Sequence, residues 1–330
     1  ASDVYKRQNI FFPTIKERKI KNVIHLGDSF DNRKNVDFWA LDWAKEVVYD
    51  KLEECKTQVY TIVGNHDVYF KNTNDVNALQ NLNISKGAKI YTRPIDVNFD
   101  GLDILFLPWI CDDNYDHSME MLRTAKADLC FGHLEIKGIE MQNGVINEHG
   151  LSKSDFQRFD RVVSGHFHKH TDDGQIFYCG AQYEMTWSDY QDPKAFHIFD
   201  TETREITRIS NPLTIHKKII YDDKKKDYTN FDIQPYNNHF IKLIVLNKTN
   251  NEVFDKFLER LYNEITVHDL NIIEDYSDIK ASVREDILEM GEDTVTFLNN
   301  YVDQLETDVS KTKLKEYLKS IYIEASDNKA

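Results

Sequence analysis

The 330 residues are 41% hydrophobic and 12% aromatic, enough to bury a full core and too many for a disordered chain. No run of 18 or more apolar residues occurs, which excludes a helical membrane span. The formal net charge of −15 cuts against the basic footprint with which a protein usually grips nucleic acid unaided: either the acidity serves solubility alone, or metal ions or a partner subunit draw in a phosphate-bearing ligand.

The opening residues lack the apolar core of a secretory signal. The four cysteines, Cys55, Cys111, Cys130 and Cys179, are widely spaced and form no paired metal-binding motif. These features lead to the expectation of a reduced, cytoplasmic protein.

In chain order, residues 1–8 read as translated adapter sequence of non-native origin and are set aside. Residues 9–19 have the look of a helix end that Pro13 weakens. The apolar run 22–26 leads into Gly27-Asp28-Ser29-Phe30-Asp31. Val36, Ala40, Trp43 and Val47 then recur at helical spacing. A second apolar run, 59–63, leads into Gly64-Asn65-His66-Asp67. The stretch 98–102 reads as a hairpin turn feeding a strand at 104–107. The run 128–131 leads into Gly132-His133, and 161–164 into Gly165-His166-Phe167-His168. Further strands are expected at 176–180 and 195–199, the latter in a hairpin with 204–209.

Pro212 marks a boundary. Residues 213–280 suggest a small α+β domain, with strands at 217–221 and 240–246 and a helix showing Val253, Phe257 and Leu261 on one face. Residues 281–330 are acidic and helical in pattern. Val295, Leu298, Val302 and Leu305 form one stripe, and Leu314, Leu318 and Ile321 another, with Asp308 or Ser310 as the second helix's cap. The chain thus reads as α/β over 9–212, with two appendages.

The four polar clusters share one design. A buried strand ends, a glycine permits a sharp turn, and the next residue stands at the sheet's carboxyl edge, where open α/β sheets bind ligands. Together they supply Asp, Asn and His, a donor set suited to Mn²⁺, Fe or Zn²⁺. Two cations about 3.5–4 Å apart are a standard means of hydrolysing phosphodiesters. Asp28 is the candidate bridging carboxylate. Asn65, His133 and His166 complete one shell and His168 serves the other, because an extended His-x-His segment places both rings on one side. His66 is the candidate group that stabilises the transition state or protonates the departing oxygen. Asp31 is expected to orient it, with Asp67 as the rival. The other eight histidines have no such company.

At these residues the chain resembles the calcineurin-like metallophosphoesterases, whose signature is Gly-Asp, Gly-Asn-His-Asp/Glu, Gly-His and Gly-His-x-His. More narrowly it is similar to SbcD-type DNA nuclease subunits, above all those of tailed-phage recombination. That narrower likeness rests on residues 27–34, Leu107-Pro108-Trp109, residues 164–168, Tyr178 and Gly180, Asp192-Pro193, residues 199–203 and residues 321–325.

The resemblance implies a four-layer α/β/β/α metallophosphoesterase sandwich, a small capping domain and a C-terminal helical segment that docks a partner. It also implies a homodimer, an SbcC-like ABC-type ATPase partner, and manganese-dependent 3′-to-5′ exonuclease and single-strand endonuclease action on DNA ends in repair and recombination. The family's opening Asp-x-His motif is missing upstream of Asp28. Truncation is therefore expected, with one metal bound well and DNA cleaved poorly by this chain. The rival functions are a phosphodiesterase or phosphatase acting on a small or protein substrate, and a non-catalytic scaffold for the ATPase.

Overall fold

The computed structural model describes residues 2–142, 145–274, 302, 310–315 and 318. The chain divides into two compact units. One comprises residues up to Glu184 together with Gln191–Thr214; the other comprises Met185–Tyr190 and the chain from Ile215.

Helix α1, Ser2–Glu17, runs through Pro13 and through the residues set aside above. An interior proline costs about 3 kcal/mol. Phe11, Phe12, Ile15 and Ile20 pack into one apolar cluster, and each such burial contributes about 1.5–3 kcal/mol, so packing outweighs the lost hydrogen bond. Strand β1 (Asn22–His25) leads to α2 (Phe38–Ala44), which continues through a π-helical turn at Lys45–Tyr49 into α3 (Asp50–Glu54). Asp37 caps the start of α2 by accepting the N–H groups of Trp39 and Ala40.

Strands β2 (Gln58–Ile62), β3 (Lys89–Tyr91) and β1 form a parallel sheet in the order β1-β2-β3, with the short helix α4 (Ala78–Asn81) between β2 and β3. β4 (Ile95–Phe99) and β5 (Leu102–Leu107) form the expected hairpin. Its two turn residues, Asp100 and Gly101, both have positive φ, which matches the twist of the flanking strands. Helix α5 (Tyr115–Thr124) and β6 (Leu129–Gly132) follow, then a hairpin of β7 (Glu140–Gln142) and β8 (Val145–Ile146). β9 (Arg161–Ser164), β10 (Thr171–Asp172) and β11 (Ile176–Tyr178) complete a six-stranded sheet ordered β10-β11-β9-β6-β5-β4. β12 (Ala195–Phe199) and β13 (Ile206–Ser210) pair antiparallel.

Period-2 alternation sorts these strands' side chains into layers. Tyr60 and Ile62 of β2 meet Ile104 and Phe106 of β5, Leu129 and Phe131 of β6, Val163 and Phe177 between the two sheets. On the outer face of the six-stranded sheet, Leu105, Leu107, Cys130, Val162, Ile176 and Tyr178 pack with Leu122 of α5 and Phe156. On the outer face of the three-stranded sheet, Val23 and Val59 pack with Ile15, Tyr49, Leu52 and Leu79. The first unit is therefore an α/β/β/α sandwich.

In the second unit, β14 (His216–Asp222), β15 (His239–Asn247) and β16 (Val267–Ile273) form an all-parallel sheet, with α6 (Asn251–Asn263) crossing between β15 and β16. Asn250 caps α6 by accepting the Val253 N–H at 3.2 Å. The stripe of Val253, Phe257 and Leu261 packs as the spacing indicates, joined by Tyr221, Tyr228 and Phe254. The pattern did not reveal β16, because its Val267-His268-Asp269-Leu270-Asn271 mixes polar and apolar residues without a clean period. The stripes proposed for 281–330 lie mostly outside the described residues; Val302 is buried, and the Leu314 N–H reaches the Ser310 carbonyl at 3.0 Å.

Candidate metal centre

β1, β2, β6 and β9 all run into the loops that carry the four polar clusters. The chain between them turns so tightly that glycine is required. A Cβ on Gly27 (φ +91°) would lie 2.5 Å from His133 Nδ1, and one on Gly64 would lie 2.2 Å from Asp28 Oδ1. Asp28 itself sits in the left-handed region at φ +57°, strained for most residues but tolerated by Asp.

Asp67 holds that turn. Its buried carboxylate accepts the Asp28 and Ser29 N–H groups at 2.8 Å each and the Gly64 N–H at 2.9 Å. It thereby ties the loop after β1 to the loop after β2. Burial, reinforced by the adjacent Asp28 charge, raises the Asp67 carboxyl to about 6.

The Asp28 carboxylate accepts the His66 backbone N–H on Oδ1 at 2.8 Å, and its Oδ2 lies 3.1 Å from His133 Nε2. Burial alone would push Asp28 upward, but His133 beside it, and then His66, hold it well below the usual carboxylate range. His133 Nε2 is also 2.7 Å from Asn65 Oδ1, and His166 Nδ1 is 3.1 Å from the same oxygen. Asp28, His133 and His166 each offer a ligand atom, and these atoms lie within 4.8 Å of one another. Asn65 and His133 are almost wholly buried. The half-buried Trp109 stands beside both rings, 5.4 Å from His166 and 6.1 Å from His133.

The donor set fits a cation on a point of hydrogen-bond chemistry. His133 Nδ1 lies 2.6 Å from the Leu26 carbonyl, which can only accept, so Nδ1 carries the proton. In the neutral ring, Nε2 then directs a lone pair at Asn65 Oδ1 and Asp28 Oδ2, two further acceptors. A second proton or a cation reconciles three acceptors pointing at one spot. A ligating imidazole whose other N–H donates to a backbone carbonyl is the usual arrangement at metal sites.

Two expectations need correction. An extended His166-Phe167-His168 was to place both rings on one face, but β9 ends at Ser164 and His166 has φ +81°, so strand alternation does not apply there. Phe167 does enter the core, stacked on Tyr178 at 4.8 Å. The assignment of His168 to the other ion is untouched by the convergence of Asp28, His133 and His166; its carbonyl accepts the Ala181 N–H at 2.9 Å and Lys194 Nζ at 3.0 Å. Asp31 was to orient His66 through its carboxylate. Instead its main-chain carbonyl accepts from His66 Nδ1, and the residue is exposed. The rival, Asp67, accepts the three backbone N–H groups of the turn.

His25, unremarkable in the sequence, lies beneath the site, its Nδ1 3.4 Å from Thr61 Oγ1 and 3.5 Å from Ser29 Oγ. Burial lowers it to about 4, helped by His133 and opposed by Asp28. Trp109 was visible only as part of Leu107-Pro108-Trp109. Its place beside the imidazoles follows from a backbone N–H donated to the Val63 carbonyl across the two sheets at 2.8 Å.

The family model for calcineurin-like phosphoesterases matches residues 4–170, which contain all four loops. The chain belongs to the calcineurin-like phosphoesterase family. A curated relative, Exonuclease subunit 1 of Enterobacteria phage T4, is 33% identical over 319 residues, covering 94% of this chain and 89% of the relative. A solved structure described as a novel archaeal phosphodiesterase aligns over 64% of this chain and 92% of its own at 16% identity, with a TM-score of 0.32, too distant to bear on the reading. As a calcineurin-like phosphoesterase the chain is a phosphodiester hydrolase, and the family uses divalent metals. Among the described residues, no helix is long and apolar enough to cross a membrane.

Proposed function

We propose that this chain is a DNA nuclease subunit that processes DNA ends in recombination and repair, as a 3′-to-5′ exonuclease and single-strand endonuclease. The observation that carries the reading is the convergence of Asp28, Asn65, His133 and His166 at the strand ends of a phosphoesterase sandwich. It is supported by end-to-end similarity to a protein named as an exonuclease subunit. That name, "subunit", supports a multi-component assembly, for which an SbcC-like ABC-type ATPase and a second copy of this chain are the proposed partners in a bacterial or phage-infected cytoplasm. The domain limits proposed with it are 9–212 for the nuclease domain, 213–280 for the cap and 281–330 for ATPase docking.

Asp28, Asn65, His133 and His166 would hold one divalent cation, with His168 assigned to a second and Mn²⁺ the preferred ion. Bound there, such ions polarise phosphoryl oxygens and supply a nucleophile at neutral pH. The protein's own part is positional. Asp67 fixes the turn that aims Asp28. His133 is locked by the Leu26 carbonyl. His66 is anchored by Nδ1 on the Asp31 carbonyl, and its imidazole is the proposed proton donor to the departing oxygen. Net charge of −15 makes local cations necessary for drawing in a polyphosphate.

The test compares turnover of single-stranded oligonucleotides and bis(p-nitrophenyl) phosphate across Mn²⁺, Mg²⁺ and Zn²⁺, with and without the partner ATPase. Slow oligonucleotide cleavage in Mn²⁺ is expected of this chain, and His66→Ala is expected to lower turnover further while sparing metal affinity. Hydrolysis of the small diester with no oligonucleotide cleavage under any condition would overturn the reading. Loss of an ion in His66→Ala would make His66 a ligand instead.

A further inference from the structure

We infer that Tyr69 and Phe70 form a stacking platform for an unpaired nucleobase of the substrate, so that the enzyme prefers single strands and frayed ends. The inference rests on the nuclease reading and deepens it.

The two rings are 45% and 49% exposed and meet edge-to-face with centroids 4.7 Å apart. They lie three and four residues beyond His66, and so within about 10–14 Å of it along the chain. Nucleotides in a stacked strand advance about 3.4 Å per step, which puts the rings within about three or four nucleotides of the scissile phosphate.

The loop that presents them is fastened at both ends and in the middle. Val68 is fully buried. The Tyr69 N–H meets the Val76 carbonyl at 2.9 Å, and the Ala78 N–H meets the Asp67 carbonyl at 2.8 Å. The buried Asn74 donates to the carbonyls of Trp109 at 2.8 Å and Thr92 at 3.2 Å. Asn74 thus joins this loop to the backbone of Trp109, whose ring stands beside His166. Two large aromatic rings held out in water by a loop with no slack are placed for contact with something outside the chain.

Charge decides what that something is. Lys71 follows the pair directly and is exposed, and Arg33 and Lys34 lie on the companion loop after Asp28. Basic residues interleaved with exposed aromatics beside a phosphodiesterase centre match a single-strand channel. In an acidic chain, stacking gives affinity that does not depend on the overall field, and it tolerates any base because every base has a π-face. In a duplex those faces are occupied by neighbouring bases.

The experiment uses the full chain in Mn²⁺ with a single-stranded oligonucleotide and the same oligonucleotide carrying abasic positions near the cleavage site. Tyr69→Ala/Phe70→Ala is expected to raise KM for the intact oligonucleotide about 5- to 150-fold, with kcat retained. Tyr69→Phe/Phe70→Tyr is expected to restore it. Abasic positions should weaken the wild type by a similar factor and add nothing to the double alanine variant. An unchanged KM in that variant, as expected of a protein-docking patch, overturns the inference, as does indifference of the wild type to abasic positions. Those results leave the nuclease reading standing. A wild type that hydrolyses bis(p-nitrophenyl) phosphate but no oligonucleotide removes both.

Discussion

Replacing Asp67 by Asn separates what this residue does for stability from what it does for the site. Its carboxylate accepts three backbone N–H groups, two of them on Oδ2 and one on Oδ1. An amide keeps one accepting oxygen and turns a donor toward the remaining N–H. One charge-assisted bond is lost, at about 1.5–3 kcal/mol. Against that, burial raises the Asp67 carboxyl from 3.8 to about 6. At about 1.4 kcal/mol per unit, holding the charge costs the metal-free fold about 3 kcal/mol above pH 6, a cost that Asn avoids. The two effects nearly cancel, so urea unfolding of the metal-free protein at pH 8 should place Asp67→Asn within about 2 kcal/mol of wild type.

The sign then sets the pH dependence. Between about pH 4 and 6 the native state binds the proton more tightly than the unfolded state, so wild type gains on the variant as pH falls through that window. Function should behave differently. With the turn loosened, Asp28 loses its fixed aim, and displacements near 1 Å cost on the order of 100-fold in rate. Calorimetric Mn²⁺ titration and diester turnover would read this. A variant destabilised by more than about 4 kcal/mol at pH 8, or one with undiminished metal affinity and turnover, refutes the reasoning.

Gly64→Ala places a methyl group 2.2 Å from Asp28 Oδ1, and isothermal titration should show metal affinity falling about 10- to 100-fold; a change under threefold would show that the loops yield freely. Burial lowers His197, with smaller contributions from His170 and Arg208, from 6.5 to about 4. Unfolding exposes a ring that takes up a proton, so stability present above pH 6.5 is lost as pH falls toward 4, by about 3 kcal/mol. His197→Phe should flatten that part of the acid limb in urea unfolding curves recorded at successive pH values; an unaltered slope contradicts the burial argument. The His66→Ala experiment described above completes the set, with turnover and metal affinity expected to part company.

Much of this protein could be read from local signals alone. The apolar runs before Gly27, Gly64, Gly132 and Gly165 are strands or strand ends in the fold, because a buried strand needs no partner's identity to declare itself. The hairpin at Asp100-Gly101 is written in turn chemistry, and the stripe on α6 in a 3.6-residue period. The candidate ligands were legible because each stands within four residues of a strand end and the topology carries those strand ends to one edge.

Tertiary structure alone decided the details within that edge. Whether Asp31 reaches His66 by side chain or by carbonyl depends on the path of the loop. Whether His168 shares a face with His166 depends on a left-handed residue that no periodicity anticipates. That Asp67 clamps two loops, and that Trp109 flanks the His166 imidazole, are contacts between segments 38 and more residues apart. Sequence spacing encodes the direction of a side chain only while the backbone is regular. At the sheet edge the backbone turns, and partners there are set by packing across the whole sandwich.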